Sequence, residues 1–184
     1  MTMTTTNTDV KQPEPWLRGT LTQVPAVIRA VLHALELAQE DAERWCGILT
    51  GLELNTQPMG LPAVAFHIRH IGGSVDRLLT YAEGKQLSEE QLAELKRETE
   101  PAGALPRTLL REFHESMERA AGRIRPFAGA DLEEARYVGR KRLPTTVGGL
   151  LVHVADHTQR HTGQMVTTAK LIRGSRAGYE KPNG

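Results

Sequence analysis

VGGLLVHVADHTQRHTGQMVTTAKLI, residues 147–172, is the stretch whose periodicity decides the architecture. Projected at about 100° per residue, Val147, Leu151, Val154, Met165, Thr168 and Ile172 fall on one stripe. A stripe of that length belongs to a long amphipathic α-helix packed against other helices. Thr145 or Thr146 supplies the N-cap, and Gly174 marks the expected end. The same segment carries His153, His157 and His161 at four-residue steps, which return each imidazole to nearly the same face. His161 lies inside the stripe, about 20° from Val154, while His157 is near its margin at about 60° and His153 is on the flank at about 100°.

Working outward, the helical period recurs upstream. Val24, Val27, Ile28, Val31, Leu35, Ala38, Ala42, Trp45 and Leu49 mark a first helix over about residues 24–49. Pro62 suits the first turn of a second, running to about Glu83 and stopping at Gly84. Ser88 and Gln91 have capping-box spacing, so a short helix is expected through about Glu98. Beyond PAGALP (101–106), Leu109, Leu110, Phe113, Met117, Ala120, Ala121 and Ile124 define another helix. Residues 127–144 are too rich in charge and glycine for a continuous one, and no segment alternates with period two. The fold class is therefore all-α. It is a single-domain four-helix bundle with one short extra helix, and the long 85–105 and 127–144 connections permit crossovers. A flexible, Thr-rich tail over residues 1–15, a bundle over 16–174 and a polar tail over 175–184 complete the expected organisation.

Composition narrows the function classes. The 184 residues are 39% hydrophobic and 24% charged, with 23 basic against 22 acidic side chains. A formal charge of +1, with no basic run interleaved with aromatics, argues against nucleic acid as a partner. No apolar run approaches membrane-spanning length, and the N-terminal stretch has no signal-peptide core, so a soluble cytoplasmic domain is expected. Cys46 is alone, which excludes an intrachain disulfide. There is no phosphate loop, dinucleotide fingerprint or nucleophilic serine motif.

The histidines are the remaining source of chemistry. Five of seven lie on two helices: His67 and His70 on the second, His153, His157 and His161 on the last. His33 and His114 stand alone and read as structural or surface residues. Two imidazoles one turn apart can chelate one ion. The zinc-protease HExxH motif uses this spacing with a glutamate general base, but Thr158 stands in that place here, so a metalloprotease is rejected. An internal, hydrogen-bonded histidine pair is the plainer explanation of HxxxH, and a second histidine-bearing helix weighs against it. On the second helix, Ile68, Ile71, Val75, Leu79 and Ala82 mark one face. His67 sits near that face, while His70 projects away with Phe66, Gly73 and Tyr81. The wheel favours His67 unless the helix is buried on two sides.

FHIRHIGGSVDRLLTYAEG (66–84) and LPTTVGGLLVHVADHTQRHTGQM (143–165) together resemble the DinB-like, YfiT-like superfamily of bacterial proteins, and the likeness extends over nearly the whole chain after Trp16. The resemblance implies a four-helix bundle with crossovers that holds a divalent metal through three histidines. On this chain they fall on His70, which precedes Ile71, and on His157 and His161, which Gly163 and Gln164 follow. Asp156 stands where similar sequences often have glutamate, outside the implied ligand set. His153 is not expected to be a ligand.

Three neutral ligands with a fourth position open match catalytic rather than closed metal sites. Zinc or nickel is the expected ion, with ring nitrogens about 2.0–2.3 Å away. Bound water would acidify, giving a hydrolase; a bound thiol would be held as thiolate, giving a thiol transferase or isomerase. The resemblance implies both, with a low-molecular-weight thiol as cosubstrate and a small-molecule substrate. The alternative is a non-catalytic metal-binding or structural bundle acting through protein contacts, such as in a stress response. No acid stands out as a partner for a ligand histidine: Asp76 is on the far side of its helix from His70, and Asp76 and Arg77 read as salt-bridge or packing residues. Two mid-helix glycines, Gly72 and Gly73, cost roughly 1 kcal/mol each relative to alanine. That cost is understandable if another backbone packs there, so a homodimer through helix faces is expected, its metal site opening to a cleft near the bundle ends.

Overall fold

The computed structural model describes residues 12–103 and 105–179. Among the described residues six α-helices follow one another: α1 (Ala26–Cys46), α2 (Gly51–Leu54), α3 (Val64–Ala82), α4 (Glu89–Arg97), α5 (Pro106–Ile124) and α6 (Val147–Tyr179). The four long helices are those read from the periodicity, and α4 begins at Ser88 with the expected capping box. Three details differ. The four-residue α2 starts at its own capping box, Thr50 with Glu53. Residues 135–146 form a hairpin, β1 (Ala135–Val138) with β2 (Leu143–Thr146), antiparallel with Ala135 opposite Thr146. Four-residue strands, one containing Pro144, are too short to show alternation. Finally, α6 continues five residues beyond Gly174 to Tyr179. The expected N-terminal tail falls mostly on residues 1–11, outside the described residues, and Pro15–Leu17 form a 3-10 turn with Pro15 buried.

Side-chain pairs fix the helix directions. Gln159 Nε2 donates to Ala34 O at 2.7 Å, and Lys170 Nζ lies 4.5 Å over the Trp45 ring, so α1 and α6 run parallel. His67 meets His161 and His70 meets His157, so α3 and α6 are antiparallel. Arg123 Nη1 reaches Asp76 Oδ1 at 2.6 Å while Ser116 Oγ approaches Gly72, so α3 and α5 are parallel. His114 pairs with Glu43, and Leu110 lies beside Gly47, so α1 and α5 are antiparallel. The order is up, down, down, up. Joining the parallel neighbours α3 and α5 requires a true crossover, and residues 83–105 make it, carrying α4 along the outside.

The core lies where the four stripes converge, with Val31, Leu35 and Ala38 meeting Ile68, Ile71 and Leu79, Phe113 and Met117, and Leu151, Val154 and Met165. Thr146 Oγ1 accepts from Gly149 N at 3.0 Å, the cap expected for α6. α3 is buried on two sides. Besides its aliphatic face it buries His67, Ser74, Arg77, Thr80 and Tyr81. The two glycines are accounted for within one chain: a Cβ on Gly72 would stand 3.0 Å from Ser116 Oγ, and one on Gly73 would overlap Glu98 Oε1. The steric argument for a partner backbone therefore does not hold.

Leu79, with no exposed surface, sits at the centre of this packing, whereas Leu52 on α2 is 82% exposed. Leu79→Ala should lower unfolding free energy by about 2–5 kcal/mol in urea titrations. Leu52→Ala should change it by less than about 0.5 kcal/mol.

Candidate metal centre

The antiparallel register of α3 and α6 brings histidines from both helices to the same level. One ring nitrogen from each of His70, His157 and His161 lies within 4.8 Å of those of the other two. His70 Nε2 and His157 Nε2 are 3.1 Å apart. The ring centroids of His70 and His161 are separated by 4.3 Å, and those of His157 and His161 by 4.6 Å. All three rings are partly open to solvent, that of His70 to 18%. Phe66 stacks on the His70 ring at 5.2 Å and 13°, fixing its plane from one side. His70 lies in the first half of α3, and His157 and His161 in the first half of α6.

His67 belongs to the same group but one layer deeper. It is 1% exposed, and its Nδ1 is 3.1 Å from His161 Nδ1. If His161 keeps its Nε2 lone pair free, its Nδ1–H donates to His67, whose proton then sits on Nε2, a buried atom with no partner. His67 thus orients His161, and the aliphatic-face position that drew the wheel to it is the reason it lies behind the cluster. His153 stands outside: its ring is about half exposed and its Nδ1 is 3.9 Å from Asp156 Oδ2. His33 is bound to Thr20 Oγ1 at 3.0 Å and His114 to Glu43 at 2.9 Å, both away from the centre.

Glu98 is the functional residue that the sequence pattern did not reveal. It follows α4 directly, is 5% exposed, and receives His70 Nδ1–H on Oε2 at 2.7 Å and Arg77 Nη1 on Oε1 at 2.6 Å. The chain beyond it is held by Arg69 Nη2, which donates to Glu100 O, and by Asn55, which brackets Ala102. Asp76, by contrast, pairs with Arg123 and accepts from Gln91, as a packing residue would. A signal for part of this was present: His70, Ser74 and Arg77 stand at i, i+4 and i+7, one face of a helix. Glu98, 28 residues from His70, has no such spacing.

The electrostatics favour the neutral form of His67, His157 and His161. Burial, then His161 and His70, depress His67 to about 4. Burial, His161, His70 and other nearby groups depress His157 to about 4. His161 is lowered by burial, His70 and Arg160, against an opposing pull from Glu98. For Glu98, burial pushes the carboxyl up, but the bonds from His70 and Arg77 outweigh it and hold it below its usual range. Cys46 is buried, and its thiol is pushed up to about 12, first by that burial, so it supplies no thiolate. A cavity of about 370 Å³ is lined in part by Gly73 and Glu98, and another of about 300 Å³ by Phe66 and Arg69; His70, His157 and His161 line neither.

These features define a helical bundle with a histidine centre between two antiparallel helices. Residues 34–165 match the DinB superfamily, well over half the chain, and the protein belongs to that superfamily. A solved structure described as the conserved protein of locus from Enterococcus faecalis is similar, with a TM-score of 0.57 and 18% identity over 80% of this chain and 98% of that one. At that identity the likeness shows the fold. No curated protein matches. Among the described residues no helix is long and apolar enough to cross a membrane.

Two outcomes follow from this geometry. Unfolded histidines protonate near 6.5 and folded His67 and His157 near 4, so the folded chain holds fewer protons between those values. Metal-free protein should be most stable above pH 7 and lose roughly 2 kcal/mol between pH 7 and 5, after allowance for the half-buried rings. Thermal melts after chelator treatment read this, and a flat profile would contradict neutral His67 and His157. Gly73→Ala should displace the Glu98 and Arg77 side chains, both flexible, rather than the helix. Divalent-metal affinity measured by competition with a chelator should fall about 10-fold or more.

Proposed function

We propose that His70, His157 and His161 hold one divalent ion, zinc or nickel, and that the protein is a metal-dependent transferase acting on a low-molecular-weight thiol and a small-molecule substrate. The carrying observation is the convergence of three imidazoles, one of them oriented by a buried carboxylate. The donor set fits such an ion. A 3.1 Å separation of His70 Nε2 and His157 Nε2 approaches the edge of a tetrahedron whose metal–nitrogen bonds are about 2.0–2.1 Å. Glu98 on the far nitrogen of His70 is the carboxylate–histidine arrangement that fixes tautomer and ring direction in metal sites. When bound, the ion would supply Lewis acidity and hold a thiol as thiolate at neutral pH.

This chain's own residues do the rest. His67 and Glu98 hold the protons of His161 and His70 on the nitrogens facing away from the centre. Phe66 keeps water off one face of His70. Thiol transfer is favoured over hydrolysis by the state of the acids. Among the described residues, the carboxylate bonded to a centre histidine is Glu98, and both its oxygens are already engaged by His70 and Arg77. A bound thiol and a bound water must each lose a proton, but a thiol starts near about 8.5 and water near about 15.7, so the thiol ionises more readily where no free base stands by. Cys46 being inert, the thiol comes from outside the chain.

Elemental analysis of the purified protein should find one zinc or nickel per chain. His70→Ala, His157→Ala and His161→Ala should each lower metal affinity by at least about 100-fold, and His153→Ala by less than about 3-fold. Thiol-transfer assays with small electrophiles should show activity that a chelator abolishes. Bound metal without transfer would favour the non-catalytic bundle; no metal at all would end the proposal.

A further inference from the structure

Ser74 is the polar residue beside the centre that this reading leaves without a role. Its Oγ lies 3.2 Å from His70 Nε2 and 3.2 Å from His157 Nε2, which are themselves 3.1 Å apart. The three atoms form a nearly equilateral triangle, and Ser74 is 5% exposed. Other helical hydroxyls in the chain behave differently. Thr80, Thr162, Thr167 and Ser175 each donate to the carbonyl four residues back, the usual outlet for such groups. Ser74 instead turns towards the histidines, and its oxygen accepts from Arg77 Nη2 at 3.3 Å.

A proton inventory says what that orientation does. A hydroxyl has one proton to give and two sites that accept. Arg77 is donor only, so the bond between them uses the Ser74 oxygen and leaves its proton pointing into the centre. In the metal-free chain an Nε2 lone pair of His70 or His157 takes that proton. Were both lone pairs to hold an ion, neither ring would accept, and the proton would be free for another acceptor brought to the centre.

We propose that Ser74 is a positioning residue that donates a hydrogen bond to a monodentate anion, a thiolate above all, in the position that three histidines leave open. The inference rests on the metal reading above and adds a specificity to it. A bond from a neutral hydroxyl to an anionic acceptor is roughly twice as strong as one to a neutral acceptor, so Ser74 favours charged occupants. Direct ligation is the competing role. It is disfavoured because a neutral hydroxyl is not among the usual donors to such ions, and Arg77 already draws on the oxygen's lone pair.

The test uses the full-length chain loaded with cobalt(II), whose visible absorption reports coordination. Azide, then 2-mercaptoethanol, is titrated into wild type and Ser74→Ala, with circular dichroism melts showing that both are folded. The expected result is cobalt uptake with affinities within about 3-fold of each other, and dissociation constants for both probes raised about 10-fold in the variant, or about 1.4 kcal/mol. Equal probe binding by the two proteins overturns the inference. So does a drop in cobalt affinity beyond about 10-fold with an altered cobalt spectrum, which assigns Ser74 as a direct ligand. Wild type that takes cobalt but binds neither probe overturns it as well, leaving the metal reading intact. Wild type that takes no cobalt overturns both.

Discussion

A buried carboxylate with two cationic or polar neighbours governs the local design. Glu98 is taken out of water at the outer edge of the bundle, and that is tolerable only because Arg77 and His70 each occupy one of its oxygens. Removing a partner from a buried pair of this kind typically costs about 3–5 kcal/mol, because the remaining charge is left unsolvated. The demand propagates outward. Gly73 lacks a side chain so that the carboxylate can approach α3, and residues 98–102 are pinned by Arg69 and Asn55 so that it arrives there. Ser74 is aimed by the same arginine that holds the carboxylate.

Topology explains why the site can exist between helices so far apart in sequence. In an up-down-down-up bundle α3 and α6 are antiparallel neighbours although more than sixty residues separate the end of one from the start of the other. The crossover between α3 and α5 is not idle connection. It delivers Glu98 to the back of His70 and covers the second face of α3, so one segment solves a chain-path problem and a solvation problem together.

The helices were legible because each long one carries an apolar stripe at helical spacing, and the start of α4 because a capping box is a local signal. His157 and His161 were legible for the same reason, since both lie on or beside a stripe. His70 was not legible from the wheel alone. Its face is buried by a polar network rather than by aliphatic side chains, and hydrophobic periodicity records only the latter. The resemblance of residues 66–84 to a known superfamily carried that assignment instead. Glu98 stayed hidden because its partner is reached through the crossover path, which no periodicity encodes. The hairpin at 135–146 stayed hidden because eight strand residues with a proline among them carry too little alternation.

The order of the helices along the chain also sets when the histidine centre can come into being. During synthesis α3 and α5 can pair as soon as the crossover has been made, which places His67, His70 and Glu98 early. The other two histidines arrive only with α6, more than sixty residues later. Until it docks, a nascent chain offers a single oriented imidazole at this point, far too weak a claim on any ion in a cell rich in competing ligands. Under the proposed metal reading, capture of a cation here would be a late act of maturation, and whatever bound would act as a seal on a bundle already closed rather than as a seed for its assembly.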